Sequence, residues 1–187
     1  MKLLGFALAG ALSLSAFSAA FAADDFLTIQ LKDGPVVVEL LPDVAPKHVE
    51  RLKELAASGQ YDNVAFHRVI EGFMAQTGDV EHANLDRNYD ASRAGMGGSD
   101  KPDLPAEFSS VPFERGTVGM ARSQNPDSAN SQFFIMFDEG SFLNGQYTVV
   151  GKVVSGMEAV DKIKRGAPGS GSVTNPDRMI KVTVGKP

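Results

Sequence analysis

The 187-residue chain predicts a mainly β domain, a largely antiparallel sheet closed into a barrel with two short helices against it. Three observations point there. Strand-like segments recur from Phe26 to Val184, only two stretches carry a helical period, and Gly, Pro, Asn and Asp punctuate the connections. On pattern alone a β-sandwich fits nearly as well.

Phe26-Leu27-Thr28-Ile29-Gln30-Leu31 alternates as a strand does. Lys32-Asp33-Gly34-Pro35 signals a turn, and Val36-Val37-Val38-Glu39-Leu40 resumes the strand, so the pair predicts a hairpin. Val44, Val49, Leu52 and Leu55-Ala56 fall near helical spacing, with Asp43 as the expected N-cap and Gly59 as the stop. Tyr61 to Thr77 returns to strand character, broken at Gly72. Gly78 to Pro112 has no strong period, and Gly95-Met96-Gly97-Gly98-Ser99 reads as a loop. A connection of that length in a compact domain is usually functional or ordered by its own side chains. Residues 116–121, 132–137 and 148–154 are further strands, 157–164 a second helix and 178–184 a closing strand. Neither a repeat nor a second domain is visible.

Composition narrows the function. With 43% hydrophobic and 22% charged residues the chain is ordinary globular material, long enough for a core without staples. A formal charge of −5 argues against nucleic-acid binding, which needs surplus Lys and Arg. Cysteine is absent, which excludes thiol chemistry and cysteine metal sites. His48, His67 and His82 are scattered without ligand spacing, so no metal is expected. Met1-Lys2, an apolar or small run from Leu3 to Phe21, and Ala20-Phe21-Ala22 ahead of Asp24-Asp25 read as a signal peptide over residues 1–22. Cleavage after Ala22 or Ala23 would leave a domain over residues 23–187. A membrane anchor competes for a run of that length, but its Ala, Ser and Gly content weakens it, so no stable insertion is expected after cleavage.

Three segments carry the chemistry. The first is Phe66-His67-Arg68-Val69-Ile70-Glu71-Gly72-Phe73-Met74-Ala75-Gln76-Thr77-Gly78-Asp79. In a strand Phe66, Arg68 and Ile70 share a face, which makes Arg68 either a solvated cation or one set into an apolar site. The second runs from Gly116-Thr117-Val118-Gly119-Met120-Ala121-Arg122 to Ser131-Gln132-Phe133-Phe134-Ile135, and the third is Phe142-Leu143-Asn144-Gly145-Gln146-Tyr147-Thr148-Val149-Val150-Gly151-Lys152-Val153. In this order and spacing they resemble the cyclophilins, and the resemblance extends from about Phe26 to Val184.

The resemblance implies a closed eight-stranded antiparallel β-barrel capped by two α-helices, with peptidyl-prolyl cis/trans isomerase activity on its outer face. Arg68 matches the family's catalytic arginine, with Gln76 beside it. Phe73, Met74, Phe134 and Leu143 match the apolar pocket for the substrate proline. Gln76 and Gln132 match polar positions that contact the peptide backbone, and Ala121-Arg122 the strand along which the peptide lies. Phe142 and Tyr147 flank the pocket. The implied partners are proline-containing segments of unfolded or flexible exported proteins, bound by a monomer in the periplasm, where such proteins fold. A proline-peptide binding module or chaperone with incidental catalysis is the alternative.

The reaction itself explains these residue types. The prolyl C–N bond has partial double-bond character and a rotation barrier of about 18–20 kcal/mol, so uncatalysed exchange is slow enough to limit folding. A catalyst needs no nucleophile, metal or cofactor. It holds the ring, lets the preceding carbonyl swing, and favours the twisted amide over the planar ones. The twisted nitrogen regains a lone pair, and a rigid, permanently charged guanidinium is a suitable donor to it.

The sequence departs from the family pattern at several places. Phe142 stands where eukaryotic members carry Trp, removing an indole N–H and weakening expected cyclosporin binding. Tyr147 replaces a common His. Arg122 replaces a common Asn, and its cation favours substrates with acidic neighbours. Glu71 and Thr77 replace a frequent Pro and Gly. The 79–106 loop matches poorly, and its Gly-rich tip is expected to be a mobile edge of the peptide groove. Ser99, Ser123 and Ser131 lie in no nucleophile-elbow pattern, and Gly95-x-Gly97 is only a fragment of a dinucleotide motif. His67 reads as a structural or groove-edge residue, because the reaction transfers no proton.

Overall fold

A computed structural model describes residues 25–185, so the expected signal peptide over 1–22 lies outside the described residues. The elements are β1 (Phe26–Leu31), β2 (Gly34–Leu40), α1 (Pro46–Ala57), β3 (Val64–Ala65), β4 (Arg68–Ile70), β5 (Met74–Thr77), β6 (Thr117–Met120) and β7 (Phe133–Met136). They continue with a 3₁₀ turn (Ser141–Leu143), β8 (Val149–Ser155), α2 (Met157–Val160), β9 (Arg178–Met179) and β10 (Lys181–Val184).

Eight strands form one antiparallel sheet in the order β10-β1-β2-β8-β6-β7-β5-β4, and β3 pairs with β9 as a separate ribbon. The sheet curls without closing, so the expected closed barrel is an open half-barrel. The physical reason lies at the β4 edge. There the backbone groups are taken by the 166–173 loop: Val69 N–H donates to Gly171 at 2.8 Å, Gly166 N–H to Val69 at 2.9 Å, and Val173 N–H to His67 at 3.1 Å. At the other edge the Asp62 carboxylate accepts Val182 N–H at 3.0 Å. Satisfied edges have no demand for each other.

Alternation sends Leu27, Ile29, Val36, Val38, Val118, Met120, Phe133 and Ile135 to the concave side, where Leu52 and Leu55 of α1 complete the main core. On the opposite face Met74, Phe113, Phe134, Met136, Leu143 and Val149 form a second apolar cluster. With both faces covered, β6 and β7 are buried at every position, which is why the Phe133-Phe134-Ile135-Met136 run is continuously apolar.

Helix α1 starts later than expected. Pro46 occupies its first turn, Ala45 is the N-cap residue, and no side chain of the cap residue bonds the helix, so Asp43 does not cap it. Glu107 does so from a distant loop, accepting Lys47 N–H at 3.3 Å, His48 N–H at 3.2 Å and sharing a 2.7 Å contact with His48 Nδ1. The expected stop holds: Gly59 adopts φ +70°, while its N–H bonds Ala56 and that of Gln60 bonds Leu55, a Schellman ending. The second helix is shorter than 157–164. Past Val160 the bonds tighten to Lys162–Ala159 and Ile163–Val160, and the Arg165 guanidinium takes the Asp161 and Ile163 carbonyls.

Candidate active site

Strands β4 and β5 pair with Arg68 opposite Gln76, Val69 opposite Ala75 and Ile70 opposite Met74. Val69 and Ala75 enter the main core, so Arg68, Ile70, Met74 and Gln76 share the outer face. Phe66 does not join them. The strand is interrupted at Phe66-His67, where the chain leaves the β3–β9 ribbon for the large sheet, and Phe66 turns wholly into the core. The outer face continues through β7, with Gln76 opposite Phe134 and Met74 opposite Met136.

Gly119 sits opposite Phe134 on β6. A Cβ there would lie 2.5 Å from the Phe113 ring and 2.6 Å from the Phe134 ring. Glycine therefore permits the Phe113–Phe134 stack, with centroids 5.7 Å apart, which sets the floor of the site.

Around this floor stand the walls. The 3₁₀ turn buries Leu143 and leaves Phe142 64% exposed, its ring 5.4 Å from Phe73. Tyr147 meets Phe134 edge-on at 6.0 Å, and the Arg122 guanidinium lies 4.3 Å over the Tyr147 ring. The resulting groove of about 420 Å³ is lined by Arg68, Phe73, Met74, Gln76, Ala121, Arg122, Phe134, Phe142, Leu143 and Tyr147, together with Gln146. All the residues singled out in the sequence meet here except Gln132.

Gln132 lies in an adjoining hollow of about 430 Å³ that shares Gln76, Ala121 and Arg122 with the groove. A polar chain links the two. Arg68 Nη1 donates to Gln76 Oε1 at 3.3 Å, Gln76 Nε2 to Gln132 Oε1 at 3.0 Å, and Gln132 Nε2 to the carbonyls of Gly95 and Gly97 at 3.0 and 2.8 Å. Arg68 Nε donates to the Ser170 carbonyl at 3.2 Å. Among the described residues no carboxylate forms an ion pair with Arg68.

The Gly-rich tip, expected to be a mobile edge, is tied down from both sides. Buried Asp79 accepts Gly95 and Gly97 N–H at 2.7 and 3.1 Å, and Glu81 and His82 N–H at 3.1 and 2.8 Å. His67 is buried next to this tip, and neither ring nitrogen has a partner at full hydrogen-bond geometry among the described residues. Burial pushes its imidazole below the ordinary 6.5, against the opposing pull of the Asp79 carboxylate.

Sequence reasoning did not assign Gly119, Phe113, Gln146, Asp79 or the Ser170 carbonyl to the site. A glycine within a strand pattern was a legible sign of close approach for Gly119. The Ser170 carbonyl has no local signature, since backbone of any residue type supplies it.

Comparison with known proteins identifies the family. Residues 26–184 match the family model described as "Cyclophilin type peptidyl-prolyl cis-trans isomerase/CLD". A Brucella suis biovar 1 protein named "Probable peptidyl-prolyl cis-trans isomerase" is 66% identical over 177 residues, 93% of this chain and 90% of that protein. Escherichia coli K12 peptidyl-prolyl cis-trans isomerase B is 35% identical over 151 residues, 76% and 86% of the two chains. A Cryptosporidium parvum cyclophilin-type isomerase, solved in the presence of the dipeptide Ala-Pro, is 26% identical with a TM-score of 0.74, covering 87% of this chain and 99% of that one. The cyclophilin AquaCyp293 from Hirschia baltica shares the fold at 24% identity and a TM-score of 0.73, covering 87% and 74%. The chain belongs to the cyclophilin-type peptidyl-prolyl cis-trans isomerase family.

Proposed function

We propose that this isomerase rotates X-Pro bonds in the Arg68 groove without a covalent intermediate. The observation that carries the proposal is the position of Arg68: a guanidinium braced by Gln76 and Ser170, without a carboxylate partner among the described residues, on the rim of an apolar pocket. Phe73, Met74, Phe134 and Leu143 bury the proline ring, while the preceding carbonyl stays outside to swing. As the amide twists, its nitrogen gains a lone pair and accepts an Arg68 N–H, a bond absent from the planar ground states. Differential stabilisation of that kind accelerates rotation. Because the donor is braced beforehand, little reorganisation accompanies the twist. The Ala-Pro dipeptide associated with the Cryptosporidium parvum structure supports a proline-containing peptide as the occupant.

The deciding experiment is a coupled peptide isomerisation assay with and without Arg68→Ala. Loss of rate with retained peptide binding supports catalysis by Arg68. A near-normal rate in the variant overturns the assignment, and peptide binding with no rate in the wild type favours a binding module.

We also infer a bacterial exported type: residues 1–22 are removed as a signal peptide, residues 23–187 are the functional domain, and a periplasmic monomer acts on exported proteins. The support is the apolar leader with its small-x-small site. N-terminal sequencing of the protein from periplasmic and membrane fractions tests it; an intact leader in the membrane fraction overturns it.

A further inference from the structure

Arg122 stands on the ridge that the groove and its neighbouring hollow share. Among the described residues its donors go to backbone carbonyls: Nε and Nη2 to Gln146 at 3.3 and 2.9 Å, Nη1 to Ser123 and Gln124 at 2.9 and 3.4 Å. The guanidinium thus straps the 141–147 segment to the 121–124 segment and presses Tyr147 toward Phe134. Neutral dipoles hold the cation in place without cancelling it. Although the chain carries −5 overall, the groove lining contains two guanidinium groups, Arg68 and Arg122, and no carboxylate. The hollow beyond the ridge holds Asp103, which accepts from Asn130 Nδ2 at 3.0 Å.

We propose that Arg122 is a specificity residue that selects X-Pro segments carrying an Asp or Glu side chain beside the proline pair. The proposal rests on the groove being the isomerase site. A carboxylate entering the groove meets a half-solvated cation that forms no ion pair among the described residues, and a lysine meets repulsion.

The test is a peptide series in which Glu, Gln or Lys is placed in turn at the positions flanking the X-Pro pair, turned over by wild type, R122Q and R122K. In wild type, Glu at one or more positions raises kcat/KM over Gln by roughly two- to fivefold at low ionic strength, chiefly through KM, and added salt erodes the gain. The ratio falls to about one in R122Q and survives in R122K, which keeps the charge but not the planar strap. Equal Glu and Gln turnover by wild type at every position, or an undiminished Glu preference in R122Q, overturns the proposal. Turnover of the neutral Gln peptides reports separately on the isomerase reading, so the two can fail independently.

Discussion

Arg68 and Gln76 face each other across the β4–β5 ladder, and the Arg68 Nη1 donates to the Gln76 amide oxygen at 3.3 Å. The same amide donates onward to Gln132 at 3.0 Å. One side chain therefore links the guanidinium to the Gln132 amide that bonds the Gly95–Gly97 tip. Gln76→Leu keeps comparable bulk and removes both bonds. It is expected to lower kcat by about tenfold through loss of orientation, with a smaller change in KM, as measured by steady-state peptide kinetics.

Arg68→Ala removes the proposed donor. Loss of one preorganised donor costs about 10²–10³ in rate. The side chain is half-buried, bonds Gln76 and the Ser170 carbonyl and belongs to neither apolar cluster, so the unfolding free energy from urea titration should fall by no more than about 1 kcal/mol. Arg68→Lys should also be impaired, because an ammonium cannot reproduce the fork that spans Gln76 and Ser170.

Gly119→Ala should couple stability to substrate binding. The new methyl meets the Phe113 and Phe134 rings at 2.5 and 2.6 Å, so their stack must shift, and Phe134 lines the groove. Overpacking of this sort costs about 1–3 kcal/mol. Thermal denaturation should show that loss, and peptide kinetics should show a raised KM.

Phe142→Trp should strengthen cyclosporin binding. Phe142 is 64% exposed beside Phe73, so an indole fits without repacking. One added hydrogen bond of about 0.5–1.5 kcal/mol corresponds to roughly two- to twelvefold in Kd. Calorimetric titration of both proteins measures it.

Glu107 makes stability depend on pH. Burial raises its pKa, but the bonds from the His48 ring and from the His48 and Lys47 amides outweigh that and hold it below the ordinary 4.5. A carboxylate depressed in the folded state stabilises above its unfolded pKa, and the contribution disappears as pH falls through the folded value. Acidification from about pH 5 toward pH 3 should therefore destabilise the wild type more than Glu107→Gln. Urea unfolding across that range would show parallel curves if the cap contributed nothing.

The recurrence of short alternating segments is readable locally, because the side-chain period of a strand is set by its own backbone. The hairpin of β1 and β2 and the Gly59 ending of α1 appear where the residues place them. Long-range substitutions are not readable in that way. Asp43 carries the local signal of an N-cap, yet Glu107 takes the role from about sixty residues away. Phe66 has the spacing to share a face with Arg68, but a change of strand partner at Phe66-His67 sends it inside.

The order of residues suffices for the family, for most strands and for the gathering of most singled-out residues along one groove, because those segments lie on a few strands with regular alternation. Folding in three dimensions decides the rest. Only there does the 166–173 loop occupy the β4 edge and leave the sheet open. Only there does the Ser170 carbonyl meet Arg68, and Gln132 turn from the groove to hold the Gly-rich tip. These contacts use backbone donors and acceptors, which every residue carries alike, so their partners are chosen by proximity in the folded chain and leave no mark on residue identity.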